Sequence, residues 1–129
     1  MLFRSQYSGY EVSAGTHLNG ANTVGENTAD IGGVKLALAA LRQLRAAAPD
    51  TVVADGFTED QQFFLSFGQV WCAKARPDFE KMRAATDTHS PPRWRINGVL
   101  ADTPEFAKAF RCKLGAKMAP PAAKQCTVW

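Results

Sequence analysis

The stretch Gly25-Glu26-Asn27-Thr28-Ala29-Asp30-Ile31-Gly32-Gly33-Val34-Lys35-Leu36-Ala37-Leu38-Ala39-Ala40-Leu41-Arg42 decides the fold class. Its Ala and Leu content favours helix, and the pattern continues over residues 25–48 until Pro49-Asp50 ends it. On a wheel of about 100° per residue, Glu26, Asp30, Gly33, Val34, Ala37, Leu41 and Leu44 share an arc of roughly 100°. Lys35, Arg42 and Gln43 lie on the other side. Two carboxylates therefore occupy the first turns of the face expected to point inward. Unpaired buried carboxylates are costly, and two together more so, which requires something positive to meet them. The helix amino terminus, with its free N–H groups and dipole, is the ordinary answer. The sharper one is a metal bound by Glu26, with Asp30 orienting a neighbouring ligand. An i,i+4 spacing suits that arrangement, and Gly33 permits close approach of another helix.

Reading outward, residues 7–23 are rich in Gly, Ser, Thr and Asn and predict a surface loop. Asp55-Gly56 is a turn dipeptide. Thr58 followed by Gln61 has capping-box spacing and opens a helix over about 58–74. On its wheel Phe63, Phe64, Phe67, Val70 and Trp71 span roughly 120°, which predicts core packing. Pro77 fits the first turn of a further helix reaching about residue 85. Residues 86–100 include Pro91-Pro92 and are not expected to be helical throughout. Thr103-Pro104-Glu105 reads as the cap and first turn of a short helix ending near Cys112. No repeat and no strand is expected. The predicted class is mostly α, one unit over residues 1–129, with helices joined by Gly/Pro-rich loops.

Composition narrows the partners. A chain of 129 residues with 46% hydrophobic content can bury a modest core. The net charge of +3 comes from 15 basic and 12 acidic residues dispersed along the chain. No basic stripe with interleaved aromatics appears, so nucleic acid is not an expected partner. The amino terminus has no apolar signal-peptide core, and Lys35, Arg42 and Arg45 interrupt the most apolar stretch, so no membrane segment is expected. Cys72, Cys112 and Cys126 cannot all pair with one another. They are either reduced thiols or partners of cysteines elsewhere in a longer chain.

Set beside the rest of the chain, Gly25 to Gly33 resembles the Glu-Asn-x-x-Asp-x-Gly-Gly block of the neprilysin-type zinc metallopeptidases, peptidase family M13. His17-Leu18-Asn19-Gly20 resembles the stretch leading into that block. Gln62-Phe63-Phe64-Leu65-Ser66-Phe67-Gly68-Gln69-Val70-Trp71-Cys72 is similar to the helix that follows, and Arg76-Pro77 to its exit. Thr88-His89-Ser90-Pro91, with Arg95 six residues beyond His89, resembles a third block. Cys126-Thr127-Val128-Trp129 resembles the family's carboxy terminus. The blocks keep the family's order across nearly the whole chain.

The resemblance implies the carboxy-terminal part of a thermolysin-like zincin catalytic domain that hydrolyses oligopeptides. Glu26 would be the third ligand of one Zn2+ in a His₂Glu site, and Asp30 would fix the tautomer of a zinc-bound imidazole. His89 would donate to the developing oxyanion. Arg95 would hold a substrate backbone carbonyl, and Val70 and Trp71 would wall the pocket for the apolar side chain after the cut. Read alone, each has a plainer role: helix-start acids, a surface histidine, a solvated cation and core packing. The His-Glu-x-x-His pair of ligands and base is absent, since His17 and His89 are the only histidines. In the family that motif lies upstream, so the expected partners are a peptide substrate and an upstream part of the peptidase. The isolated chain is expected to be inactive. The family also implies work outside the cytoplasm, with cysteines bridged to the upstream part; the usual partner for Cys126 would stand near Leu2, where there is none. The alternative is a non-catalytic helical binding module derived from such a peptidase.

Overall fold

The computed structural model describes residues 2–46 and 48–128, and its axis is a 25-residue helix, α2 (Gly20–Leu44). Asn19 caps it, its side chain accepting from the N–H groups of Ala21 and Asn22. Before it come a short helix, α1 (Leu2–Ser8), and an antiparallel pair, β1 (Glu11–Ser13) with β2 (Thr16–His17). After it come a second pair, β3 (Val52–Ala54) with β4 (Phe57–Thr58), and then α3 (Glu59–Val70). Three further helices follow, α4 (Pro77–Thr86), α5 (Pro92–Ala101) and α6 (Pro104–Ala109), and the tail holds a 3-10 turn, Ala122–Lys124. The architecture is mostly α.

Local chemistry explains most boundaries. The Thr58 hydroxyl accepts from the Gln61 N–H and the Gln61 side chain returns to the Thr58 N–H, so the expected capping box forms. Proline stands in the first turn of α4, α5 and α6, where its missing N–H costs no helical bond. Thr103 stands at the start of α6, yet its hydroxyl donates back to the Val99 carbonyl rather than capping. Several expectations are corrected. Residues 7–23 are not a loop throughout but hold a hairpin and the start of α2, and the absence of strands was wrong. Asp55 and Gly56, with φ of 49° and 77°, form the tip of the second hairpin, the left-handed pair that a two-residue turn requires. α2 lies five residues earlier than read at its start, α3 stops at Val70, and α5 occupies residues read as irregular.

The core joins Ile31, Val34 and Leu38 of α2 to Phe64 of α3, Val99 and Leu100 of α5, and Val128 of the tail. Burying each such side chain stabilises by about 1.5–3 kcal/mol. A second cluster, Tyr7, Leu18 and Ala84, ties α1 to α4. Gly98 permits this: a Cβ there would stand 2.7 Å from the Tyr7 hydroxyl oxygen. The buried stripe of α2 is Thr23, Asn27, Ile31, Val34 and Leu38. It is rotated by roughly 75° from the arc expected from sequence. Leu44 is 86% exposed, and Gly33 and Ala37 face outward. The large branched side chains seek the core, while Ala29, Gly33 and Ala37 have little area to bury.

Candidate active site

Glu26 and Asp30 project from successive turns of α2 beside the buried stripe rather than within it. Between them in sequence, Asn27 is fully buried. Its amide donates to the Thr23 hydroxyl at 3.0 Å, and its carbonyl accepts from the Ser90 hydroxyl at 2.7 Å. The amide of Asn22, one turn earlier, donates to the Asp87 carbonyl at 2.9 Å. These two asparagines fasten the loop between α4 and α5 onto the first turns of α2. His89 is thereby brought against Glu26, with Nε2 3.2 Å from Oε2.

The other face of the ring meets Asp87. One carboxylate oxygen of Asp87 accepts from the His89 backbone N–H at 2.8 Å and stands 2.9 Å from Nδ1. The second oxygen takes both Nε and Nη2 of Arg83. These bonds, led by the backbone N–H of His89, lower the Asp87 carboxyl to a pKa of about 2. The ring is therefore bracketed, with Asp87 at Nδ1 and Glu26 at Nε2.

Arg95, in the first turn of α5, makes a bidentate pair with Asp30, Nε at 2.7 Å and Nη2 at 2.5 Å. Both side chains are largely buried, 14% and 13% exposed, and the hydrogen bonds to Asp30 hold the guanidinium above its ordinary pKa. The guanidinium also lies over the ring of Trp71, 3.9 Å from its centroid. Trp71, Arg83, His89, Ser90, Pro92 and Arg95 enclose a small recess of about 190 Å³. On the other side of Trp71 an apolar groove of about 390 Å³ runs between α2 and α3, floored by Gly33, Ala37, Phe63 and Phe67. Val70 stands on its rim, 74% exposed, and so is not the core residue its wheel position suggested. A larger concavity, about 760 Å³, lies elsewhere, around Arg42, Arg45 and Asp60. Arg42 and Arg45 are both paired to Asp60 there. Burial opposes the charge of Asp60, but the hydrogen bonds from the two arginines outweigh it and leave its pKa lowered.

The structure thus gathers Glu26, Asp30, His89, Arg95 and Trp71 at one edge of α2. His17 lies on β2 and is exposed. Asn27 and Ser90 stand in the quoted motif blocks but were given no role from sequence, and Asn22 and Asp87 were not singled out. An asparagine inside a helix, where it is a poor former, and an Asp two residues before a His were the available signals. Among the described residues no three His, Cys, Asp or Glu side chains stand together as a metal cage. Glu26, 44% exposed and ion-paired among the described residues with His89, suits the lending of one ligand to a site completed by other residues. Cys72 is exposed, Cys112 half-buried and Cys126 buried, and none is bonded to another. The carboxy-terminal Trp129 lies outside the described residues.

A sequence-family model described as peptidase family M13 matches residues 2–126. An endothelin-converting enzyme homolog from Locusta migratoria is 42% identical over 126 residues, covering 96% of this chain and 17% of its own. Human endothelin-converting enzyme 1 is also 42% identical, over 96% of this chain and 16% of its own. The crystal structure of the Mycobacterium tuberculosis zinc metalloprotease Zmp1 with an inhibitor superposes with a TM-score of 0.92. It is 32% identical, covering 99% of this chain and 20% of its own. The chain therefore spans about a sixth of the length of the curated relatives it matches.

Proposed function

The chain belongs to peptidase family M13, and from that membership we propose that it forms one wall of a zinc metalloendopeptidase active site. The observation that carries this reading is the convergence at one edge of α2. Glu26, Asp30, His89 and Arg95 come from two helices and a loop, yet form two neighbouring pairs, Glu26 with His89 and Asp30 with Arg95, and Asp30 also lines an open groove. Glu26 would hold the metal with two histidines from the upstream part of the parent chain. When bound, zinc supplies an acidified water and polarises the scissile carbonyl.

The remaining roles belong to this chain's own side chains. Asp30 has its carboxylate fixed by Arg95 and presents it to the imidazole of an incoming ligand, setting its tautomer. His89, with Nδ1 held by Asp87, directs Nε2 toward the side of Glu26, where it can donate to a developing oxyanion. Arg95 spends Nε and Nη2 on Asp30 and keeps Nη1 for a substrate carbonyl, which fixes register. Trp71 and Val70 line the recess and rim that receive the apolar side chain after the cut. The upstream part of the peptidase is the partner for the apolar groove. The exposed Cys72 and half-buried Cys112 suit bridges to that part outside the cytoplasm. No helix among the described residues is long and apolar enough to cross a membrane.

The test is zinc binding by calorimetry and cleavage of an oligopeptide, for the chain alone and with the upstream part added in trans. The expected outcome is no tight zinc site and no cleavage alone, with both gained on mixing. Glu26→Gln abolishes the gain, and Asp30→Asn weakens zinc by about 10–100-fold. Cleavage by the chain alone, or zinc bound equally well by Glu26→Gln, would overturn the reading.

A further inference from the structure

Away from the cleft, the end of α5 carries a carboxylate that no role above uses. Asp102 is fully buried. Its Oδ1 accepts two bonds, from Nε2 of Gln6 on α1 at 3.0 Å and from the backbone N–H of Cys126 in the tail at 3.0 Å. Its Oδ2 is buried with no hydrogen-bond partner. None of the ion pairs among the described residues includes it. One side-chain oxygen thus joins three segments distant in sequence: the amino-terminal helix, the end of α5 and the carboxy-terminal strap. The strap runs on to Val128, whose carbonyl accepts from Nζ of Lys35 on α2 at 2.8 Å, and whose side chain enters the main core.

We propose that Asp102 is a protonation-dependent latch, closed as the neutral acid and loosened when it ionises, that holds the carboxy-terminal strap against α1 and α5. A neutral carboxyl can keep both Oδ1 bonds. An ionised one leaves a charged, unsatisfied oxygen in a dry site, a state relieved only by admitting water. Among the described residues, the side chains facing it bring no positive charge. Tyr7 and Gln6 come from α1, Tyr10 from the segment after it, and Cys126 from the strap. Gln6 also donates to the Tyr10 hydroxyl, so the same amide side chain serves both. None of these is a cation. Burial raises the Asp102 carboxyl, with the Cys126 N–H and Gln6 bonds opposing. Burial and then Asp102 push the Cys126 thiol up to about 11, with the charge of the amino terminus opposing, and burial followed by Tyr10 and Asp102 raises Tyr7.

The direction follows from linkage. A carboxyl whose folded pKa is raised contributes stability that is whole below its unfolded value of about 3.9 and is lost as pH rises through the folded value. The latch therefore weakens on going from acid toward neutrality, opposite to a salt-bridged aspartate. It rests on the local geometry alone and stands or falls separately from the zinc reading.

Native-state hydrogen exchange at the Cys126 N–H, taken as a protection factor between about pH 3 and pH 8 so that it starts below the unfolded aspartate value, reads the latch directly. Protection in the unaltered chain is expected to be lost progressively as the pH rises across that range. Asp102→Asn keeps the Oδ1 acceptor and removes the charge, so its protection stays level across that range. An equal fall in both chains, or no fall in the unaltered one, overturns the proposal. Should Asp102→Asn not fold, a carboxyl-carbon NMR titration of the unaltered chain decides: a midpoint above the ordinary aspartate range, tracking the loss of Cys126 protection, supports the latch. A midpoint at the ordinary value overturns it.

Discussion

The imidazole of His89 takes its orientation from a carboxylate two residues earlier. Asp87 accepts from both the backbone N–H and Nδ1 of His89, and Arg83 steadies its other oxygen. Because these bonds hold the Asp87 pKa at about 2, below its unfolded value, they contribute stability that is whole above about pH 4. That contribution is lost as the pH falls toward 2. The His89 backbone amide should keep its hydrogen-bonded environment down to about pH 4 and lose it as Asp87 protonates. Asp87→Asn should produce the acid spectrum of that loop at neutral pH. An Asp87→Asn chain whose His89 signals match the unaltered protein would show that the carboxylate does not set the ring.

Secondary-structure elements carry the next level. The sequence predicted α3 from its capping box, α4 from Pro77 and a long helix around Glu26, because those signals act within a few residues. It misjudged which face of α2 is buried, since that depends on what packs there. α1, α5 and the strap claim the stripe through Ile31 and Leu38, leaving Glu26 and Asp30 to one side. The hairpins were missed because strands of two or three residues have too few positions to show alternation. The site residues read from motif spacing are brought together, but the fastening was not legible: Asn27 is a solitary polar residue whose partner, Ser90, lies 63 residues on. Two substitutions separate these roles. Thr58→Ala removes a cap and should cost about 1 kcal/mol in urea unfolding while leaving the His89 signals unchanged. Asn27→Ala leaves the Ser90 and Thr23 hydroxyls without their buried partner. It should cost about 1–3 kcal/mol and release His89 from Glu26, seen as loss of the nuclear Overhauser contacts between them. Equal disturbance of His89 by both would mean the loop is held by overall stability rather than by Asn27.

Across the whole molecule, one long side of the bundle is closed and the other is not. The closed side contains Ile31, Phe64, Val99 and Val128; the open side is the groove over Gly33 and Ala37, with Val70 and Trp71 at its edge. Small residues on an exposed helix face leave room for a backbone to approach, and apolar floors gain most when water leaves. With about five-sixths of the length of its relatives unrepresented here, the upstream part of the peptidase is the proposed occupant. Gly33 offers a clean test, because a Cβ at that position meets no atom within 4 Å in this chain. Gly33→Leu should therefore leave the isolated chain folded and raise its helical stability by up to about 1 kcal/mol, as leaving glycine in a helix interior does. The same side chain would stand where the partner's backbone must come. Association with the upstream part, followed by titration calorimetry, should weaken by at least about tenfold, equivalent to roughly 1.4 kcal/mol. Zinc binding by the mixture should fall with it, while Leu44→Ala, on the exposed end of the same helix and away from the groove, should leave both unchanged. Unaltered affinity in Gly33→Leu would place the contact elsewhere and separate the groove from the catalytic edge beside it.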